Sequence, residues 1–464
     1  MPTDSTNQRL ARLWLGIAVL VLVLAGLFAL LLVVARMPPF DRLVTDPGFF
    51  RRCLVVHVDL ALVLWFYSFV ASLLFLLPER RNGALLSRLS PHLAVVGIAL
   101  LSIGAWLPGT KPVMSNYIPM IDHWVFGLGL ATFGSAVIAV VLSRDLFRSA
   151  APQVWLPAPS GALAALRTAA VALLLAGLTL FSTWLALPEG LEAQPHYELL
   201  YWGMGHVLQL VSVAAMLAVW QILVASRTGS APIPARSSVL WLALLLLPWL
   251  VAPLLPIGGA WRPLYHTGFT RLMQFGLAPA VLAFGWLCVR ALRRAPAPAR
   301  RGGILHDPAT SGFVASAVLT LIGFVLGASI HGSNTVVPGH YHANIGAVTV
   351  AFMAASYLLL EPLGLQLPGG RFGRLAGWQP SLYGLGQIVF AAGFALAGAR
   401  GSARKVYGQE QGQRDALETA GLFVMGVGGF IAIAGGLLFL ALLGAAWLRR
   451  PGHARIATTL VTAS

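Results

Sequence analysis

Long apolar stretches interrupted by short polar ones run through the chain from Leu13 to Leu448. A run of about 18 or more apolar residues crosses the ~30 Å of hydrocarbon in a bilayer at ~1.5 Å per residue. Bounded by Pro, Gly, Arg and Asp, twelve such segments stand out, at about 13–35, 55–77, 90–108, 122–143, 162–187, 198–225, 238–257, 268–292, 312–331, 338–361, 382–399 and 420–448. Backbone N–H and C=O groups in lipid must be satisfied within the span, and the strict alternation of a barrel strand is absent, so each segment reads as a helix. The pattern predicts an all-α polytopic membrane protein, a twelve-transmembrane-helix bundle forming one membrane domain over residues 1–464. The first run is too long for a cleaved signal peptide and lacks a small-residue cleavage site, so it reads as the first helix. No repeat of fixed period is present, and the Pro/Ala/Arg stretch from Arg293 to Gly303 reads as a cytoplasmic loop.

Composition agrees, with 58% hydrophobic and 10% charged residues in 464, which excludes soluble, disordered and collagen-like chains. A net charge of +16 would suggest nucleic acid, but the basic residues sit in short loops and form no continuous face. Their partner is the lipid bilayer. With the N-terminus cytoplasmic, twenty of the 31 Lys and Arg residues fall on the cytoplasmic side. This bias predicts both termini inside a cell membrane, the inner membrane in a bacterium. Cys53 and Cys288 lie in different apolar segments and provide no disulfide framework or zinc motif.

Histidine carries the chemistry. An imidazole in hydrocarbon needs a partner, and zinc, copper and haem iron all accept its lone pair. His57 lies just inside the second span, His206 about two turns into the sixth, and His266 precedes the eighth, while His340 and His342 open the tenth. All five fall in the outer part of the membrane once the loop charges have set the topology. His340 and His342, two residues apart, are separated by about 200° around a helix, so one helix can serve two different metals.

The stretches HVDLALVLWFYSF from His57, YWGMGHVLQL around His206 and HGSNTVVPGHYHANIGAVTVAF from His331 resemble subunit I of the haem-copper oxidase superfamily, over nearly the whole chain. That superfamily includes terminal oxidases and the related nitric oxide reductases. The resemblance implies a low-spin haem between His57 and His342 and a high-spin haem on His340, both expected to be b-type. It further implies copper or non-haem iron near His206 and His266, His331 beside a haem propionate, and propionate binding by Arg404 and Lys405 in ARKVYG. Departures are equally plain. The family supplies two adjacent histidines at the end of helix seven, whereas only His266 stands here, between Tyr265 and Thr267. Leu210 occupies the position four residues after His206 where oxidases carry tyrosine and nitric oxide reductases glutamate. Tyr265 is the phenol available as a ligand or reactive group.

The implied function is a terminal oxidase that passes electrons through the low-spin haem to a high-spin haem and second metal, reducing dioxygen to water. Nitric oxide reduction and non-catalytic haem electron transfer are the alternatives. A secondary transporter also has twelve spans, but would place charged residues centrally. The chain has no CxxCH sequence, since Cys53 to His57 reads CLVVH, so cytochrome c or a cytochrome-containing partner subunit must deliver electrons.

Overall fold

The computed structural model describes residues 6–147, 155–295, 306–406 and 414–449. Most of the stretch from Arg293 to Gly303, read above as a loop, lies outside them. Among the described residues, twelve helical spans are long and apolar enough to cross a membrane. They are α1 (Thr6–Val34), a second span made of α2 (Pro47–Val58), a wide-turned segment (Asp59–Leu64) and α3 (Trp65–Leu74), then α4 (Ala84–Gly104) and α5 (Trp124–Ser143). Next come α6 (Ser160–Leu185), α7 (Ala193–Thr228), and α8 (Ala235–Leu246) with its 3₁₀ continuation Leu247–Leu254. The eighth span joins α9 (Pro263–Gly276) to α10 (Ala278–Arg294), and α11 (Pro308–Ala328), α12 (Val336–Leu360), α13 (Gly370–Ala399) and α14 (Ala416–Leu448) complete the bundle. Between α4 and α5, β1 (Lys111–Val113) and β2 (Met120–Asp122) form an antiparallel hairpin with Lys111 opposite Asp122.

Helix starts follow from local chemistry. Asp46 and Asp307 each precede a proline and accept hydrogen bonds from backbone N–H groups of the first turn, at Gly48 and at Ala309 and Thr310. Proline at the first helical position has no N–H to leave unsatisfied. Pro263 likewise starts α9, so His266, expected just before the eighth span, lies inside its first turn. The eleventh span, expected at about 382–399, begins earlier, because α13 runs from Gly370 through Pro380. Proline weakens the preceding turn of backbone bonding, and the Ser311 hydroxyl donates to the Gly377 carbonyl there at 2.9 Å.

The most enclosed spans are α7 and α12, with 89% and 83% of their apolar windows buried, against 28% for α1. These two form the centre, while Leu20, Leu27 and Phe181 leave large apolar surfaces on the outside, where lipid satisfies them. Phe69 stacks on Phe352 with ring centroids 4.3 Å apart, joining α3 to α12. The Tyr67 hydroxyl donates to the Leu208 carbonyl of α7 at 2.9 Å, and Trp220 Nε1 donates to Ser316 of α11 at 2.8 Å. Glycine governs the closest helix pair. Gly386 and Gly393 of α13 face α14, which presents Gly421, Gly428 and Gly435 at seven-residue spacing; a Cβ on Gly393 would sit 2.2 Å from the Met425 nitrogen. Such small-residue seams let backbones meet where lipid gives no hydrophobic drive for association.

Candidate functional site

His57 and His342 line one cavity of about 260 Å³ enclosed by α1, α2, α12, α13 and α14. His57 Nδ1 lies 3.0 Å from the Ala25 carbonyl, to which it donates as the N–H tautomer, leaving the Nε2 lone pair for a metal. Phe390 packs against the His342 ring at 4.3 Å. Arg36 and Arg404 also line the cavity, together with mostly apolar side chains, the polar Thr349, Tyr383 and Gln387 and, among the described residues, no carboxylate. Arg36 Nη2 donates to the Arg404 carbonyl at 3.0 Å, and its guanidinium lies over Phe394. An apolar cavity with two imidazoles and a cationic wall fits a flat, apolar group carrying carboxylates.

His340 turns to another neighbour. Its Nδ1 lies 2.7 Å from the Gly323 carbonyl of α11, and a Cβ on Gly327 would fall 2.7 Å from its Cε1. Glycine therefore makes the seat for this ring. The Nδ1–carbonyl pattern repeats that of His57 and leaves the Nε2 lone pair available, with Asn344 Nδ2 lying 3.2 Å from Nδ1 and 3.5 Å from Nε2. The two histidines of α12 thus serve different surroundings, as their angular separation predicts.

At His206 both ring nitrogens are engaged: Nδ1 donates to the Trp202 carbonyl at 2.6 Å, and Nε2 lies 2.8 Å from the Tyr117 hydroxyl. Burial, with Tyr341 and Glu198 adding to it, raises the Tyr117 phenol well above its ordinary value, so this hydroxyl is the donor. His266 approaches the same place, and Trp202 packs against both imidazoles, with centroids 4.8 Å from His206 and 4.9 Å from His266. Among the described residues, no three His, Cys, Asp or Glu side chains group to hold a metal ion.

The Tyr265 hydroxyl, a candidate ligand on sequence grounds, is committed elsewhere. It donates to the Leu199 carbonyl at 2.8 Å and accepts from Gly203 N–H at 2.9 Å, standing between two groups that would bond to each other in a regular helix. It holds α9 against α7. Tyr265→Phe should retain the haem spectrum and lower stability by about 1–3 kcal/mol, the cost of losing such buried bonds; thermal unfolding of the detergent-solubilised protein checks both.

Over the outer end, the hairpin is pinned from two sides. Lys405 Nζ donates to the Met114 carbonyl at 2.8 Å, Arg404 bonds the Asn116 side chain, and Glu198 accepts the Asn116 N–H at 3.0 Å. Of the basic pair, Arg404 lines the cavity and Lys405 secures the loop. Burial, reinforced by Arg404, lowers the Lys405 ammonium from its ordinary value. His331 is exposed before α12, its Nδ1 2.9 Å from the Ser329 carbonyl. Three residues escaped the sequence reading: Arg36, Tyr117 and Asp59. Asp59 is fully buried at the start of the wide-turned segment, and neither carboxyl oxygen has a hydrogen-bond partner among the described residues. An ionisable residue inside an apolar span is a readable signal.

Comparison with known proteins adds an independent line. Residues 9–253, more than half the chain, match the family described as Cytochrome C and Quinol oxidase polypeptide I. An uncharacterised protein of Rickettsia prowazekii (strain Madrid E) is 25% identical over an alignment of 511 residues, covering 95% of this chain and 96% of its own. Another, of Aquifex aeolicus (strain VF5), is 27% identical over 372 residues, covering 78% and 87%. The fold is similar to a cryo-EM structure of a heme-copper terminal oxidase dimer, with a TM-score of 0.74 at 16% identity, covering 97% of this chain and 85% of that one. The chain is a multi-pass membrane protein and belongs to the cytochrome c and quinol oxidase polypeptide I family, as a divergent member with a fold like that of a haem-copper oxidase subunit I.

Proposed function

We propose that this chain is subunit I of a respiratory terminal oxidase, receiving electrons from cytochrome c or a cytochrome-containing partner subunit and reducing dioxygen to water. The observation that carries the reading is the shared cavity of His57 and His342 with its two arginines. When bound, haem at His57 and His342 supplies one-electron transfer, and a second haem on His340 supplies an open iron position for a diatomic gas. The protein's own part is positioning. The Ala25 and Gly323 carbonyls fix the tautomers and ring directions of His57 and His340, while Phe390 braces His342. Arg36 and Arg404 offset propionate charge that would be costly at a low-dielectric boundary. Both termini are assigned to the cytoplasmic side of a bacterial inner membrane by the loop charges.

The donors around His206 do not fit a second metal, so no step is assigned to one. That mismatch favours a second reading, a haem electron-transfer subunit without gas chemistry. A reduced-minus-oxidised spectrum of the purified protein, with and without carbon monoxide, separates the two. Two b-type haems, one shifting with carbon monoxide, support the oxidase; two haems that both ignore it support electron transfer; absence of haem overturns both.

A further inference from the structure

A metal held by His206 would need the Nε2 lone pair, because Nδ1 carries its proton toward the Trp202 carbonyl. The Tyr117 hydroxyl already occupies that direction at 2.8 Å. This contact is built into the fold. Gly205, next to His206 in α7, is the seat for the tyrosine: a Cβ there would lie 2.2 Å from Tyr117 Cβ. Glycine inside a helix costs about 1 kcal/mol relative to alanine, and here it opens space for a side chain from a distant loop. The Tyr117 ring lies 4.4 Å from that of His206 and edge-on to Trp202 at 5.6 Å. On either side of Tyr117, Asn116 is clamped by Glu198 and Arg404, and the Ser115 hydroxyl donates to the Ile118 carbonyl at 2.5 Å.

Other donors do not complete a metal shell. His266 is half-buried against Trp202, Tyr265 is committed to α7, and Leu210 offers no lone pair one turn beyond His206. We propose that Tyr117 takes the metal's place at His206: its hydroxyl fills the imidazole's coordinating position, and neither copper nor non-haem iron binds at this site. The oxidase reading supplies the contrast for this proposal, but its test is separate.

The experiment uses the full chain, expressed with haem precursor and with copper and iron added to the medium, then purified without chelator. Haem is counted by pyridine haemochrome, and copper and total iron by plasma mass spectrometry. Iron equal to haem, with copper below about a tenth of the chain concentration, is the expected result. One copper or one non-haem iron per chain that disappears in His206→Ala overturns it. His206→Asn, which keeps an amide for Tyr117 to bond, serves where the alanine variant does not accumulate. Extra metal retained in both variants lies elsewhere and leaves His206 unmetallated, as proposed. The haem count reports on the oxidase reading, whereas the non-haem metal lost on substituting His206 reports on the Tyr117–His206 contact.

Discussion

His342→Ala is expected to abolish the low-spin haem signal and reduce haem content from two to one per chain. The imidazole shares its cavity with His57, and a six-coordinate haem needs both lone pairs. Alanine removes one ligand and the ring that Phe390 packs against. His57→Ala should give the same loss, while His340→Ala should spare the low-spin spectrum and remove the carbon monoxide response. The comparison tests the division of labour along α12: were the low-spin signal to survive His342→Ala, the pairing across the cavity would be wrong. Added imidazole should restore part of the signal to His342→Ala, which separates loss of a ligand from loss of the fold.

A second large effect is expected at a residue with no lone pair to offer. Gly393→Leu should prevent stable haem-loaded protein from accumulating. Its Cβ would lie 2.2 Å from the Met425 nitrogen and 2.6 Å from the Gly421 carbonyl oxygen, so the clash is with backbone. Overpacking among side chains costs about 1–3 kcal/mol, and two helices held by their main chains have less freedom to give. Because Phe390, Phe394 and Met425 come from this pair and line the cavity, separating α13 from α14 opens its wall. Gly444→Leu is the control, since nothing lies within 4 Å of a Cβ there. Haem per chain and monodispersity in size-exclusion chromatography report the result; normal haem content in Gly393→Leu would mean the seam is not required.

Much of this was legible in the residues. Spans are readable because length and apolarity are local properties, and the five histidines stand out because imidazole is conspicuous in hydrocarbon. The angular separation of His340 and His342 carried directly into their different neighbours. What escaped was set by contacts between distant stretches. Tyr117 reads as an ordinary interfacial tyrosine until the hairpin folds it onto His206, 89 residues away. Arg36 counts in the sequence only as one of the charges on the outer side, yet it bonds the carbonyls of Arg404 and Val406. Tyr265 stands in the sequence as a phenol that could serve as a ligand or reactive group, whereas its hydroxyl is bonded to backbone groups of α7. The early start of α13 escaped because a neighbouring helix supports the turn that Pro380 weakens.

In the second span, the N–H of Trp65 reaches back to the Leu60 carbonyl, five residues rather than four. An extra residue in one turn offsets everything beyond it by roughly 100° around the axis. His57 before the offset and Tyr67 after it are thereby aimed at separate partners by a single rod. Such a phase-shifter can arise from the insertion of one codon, which would let a lineage re-aim half of a helix without rebuilding the other half.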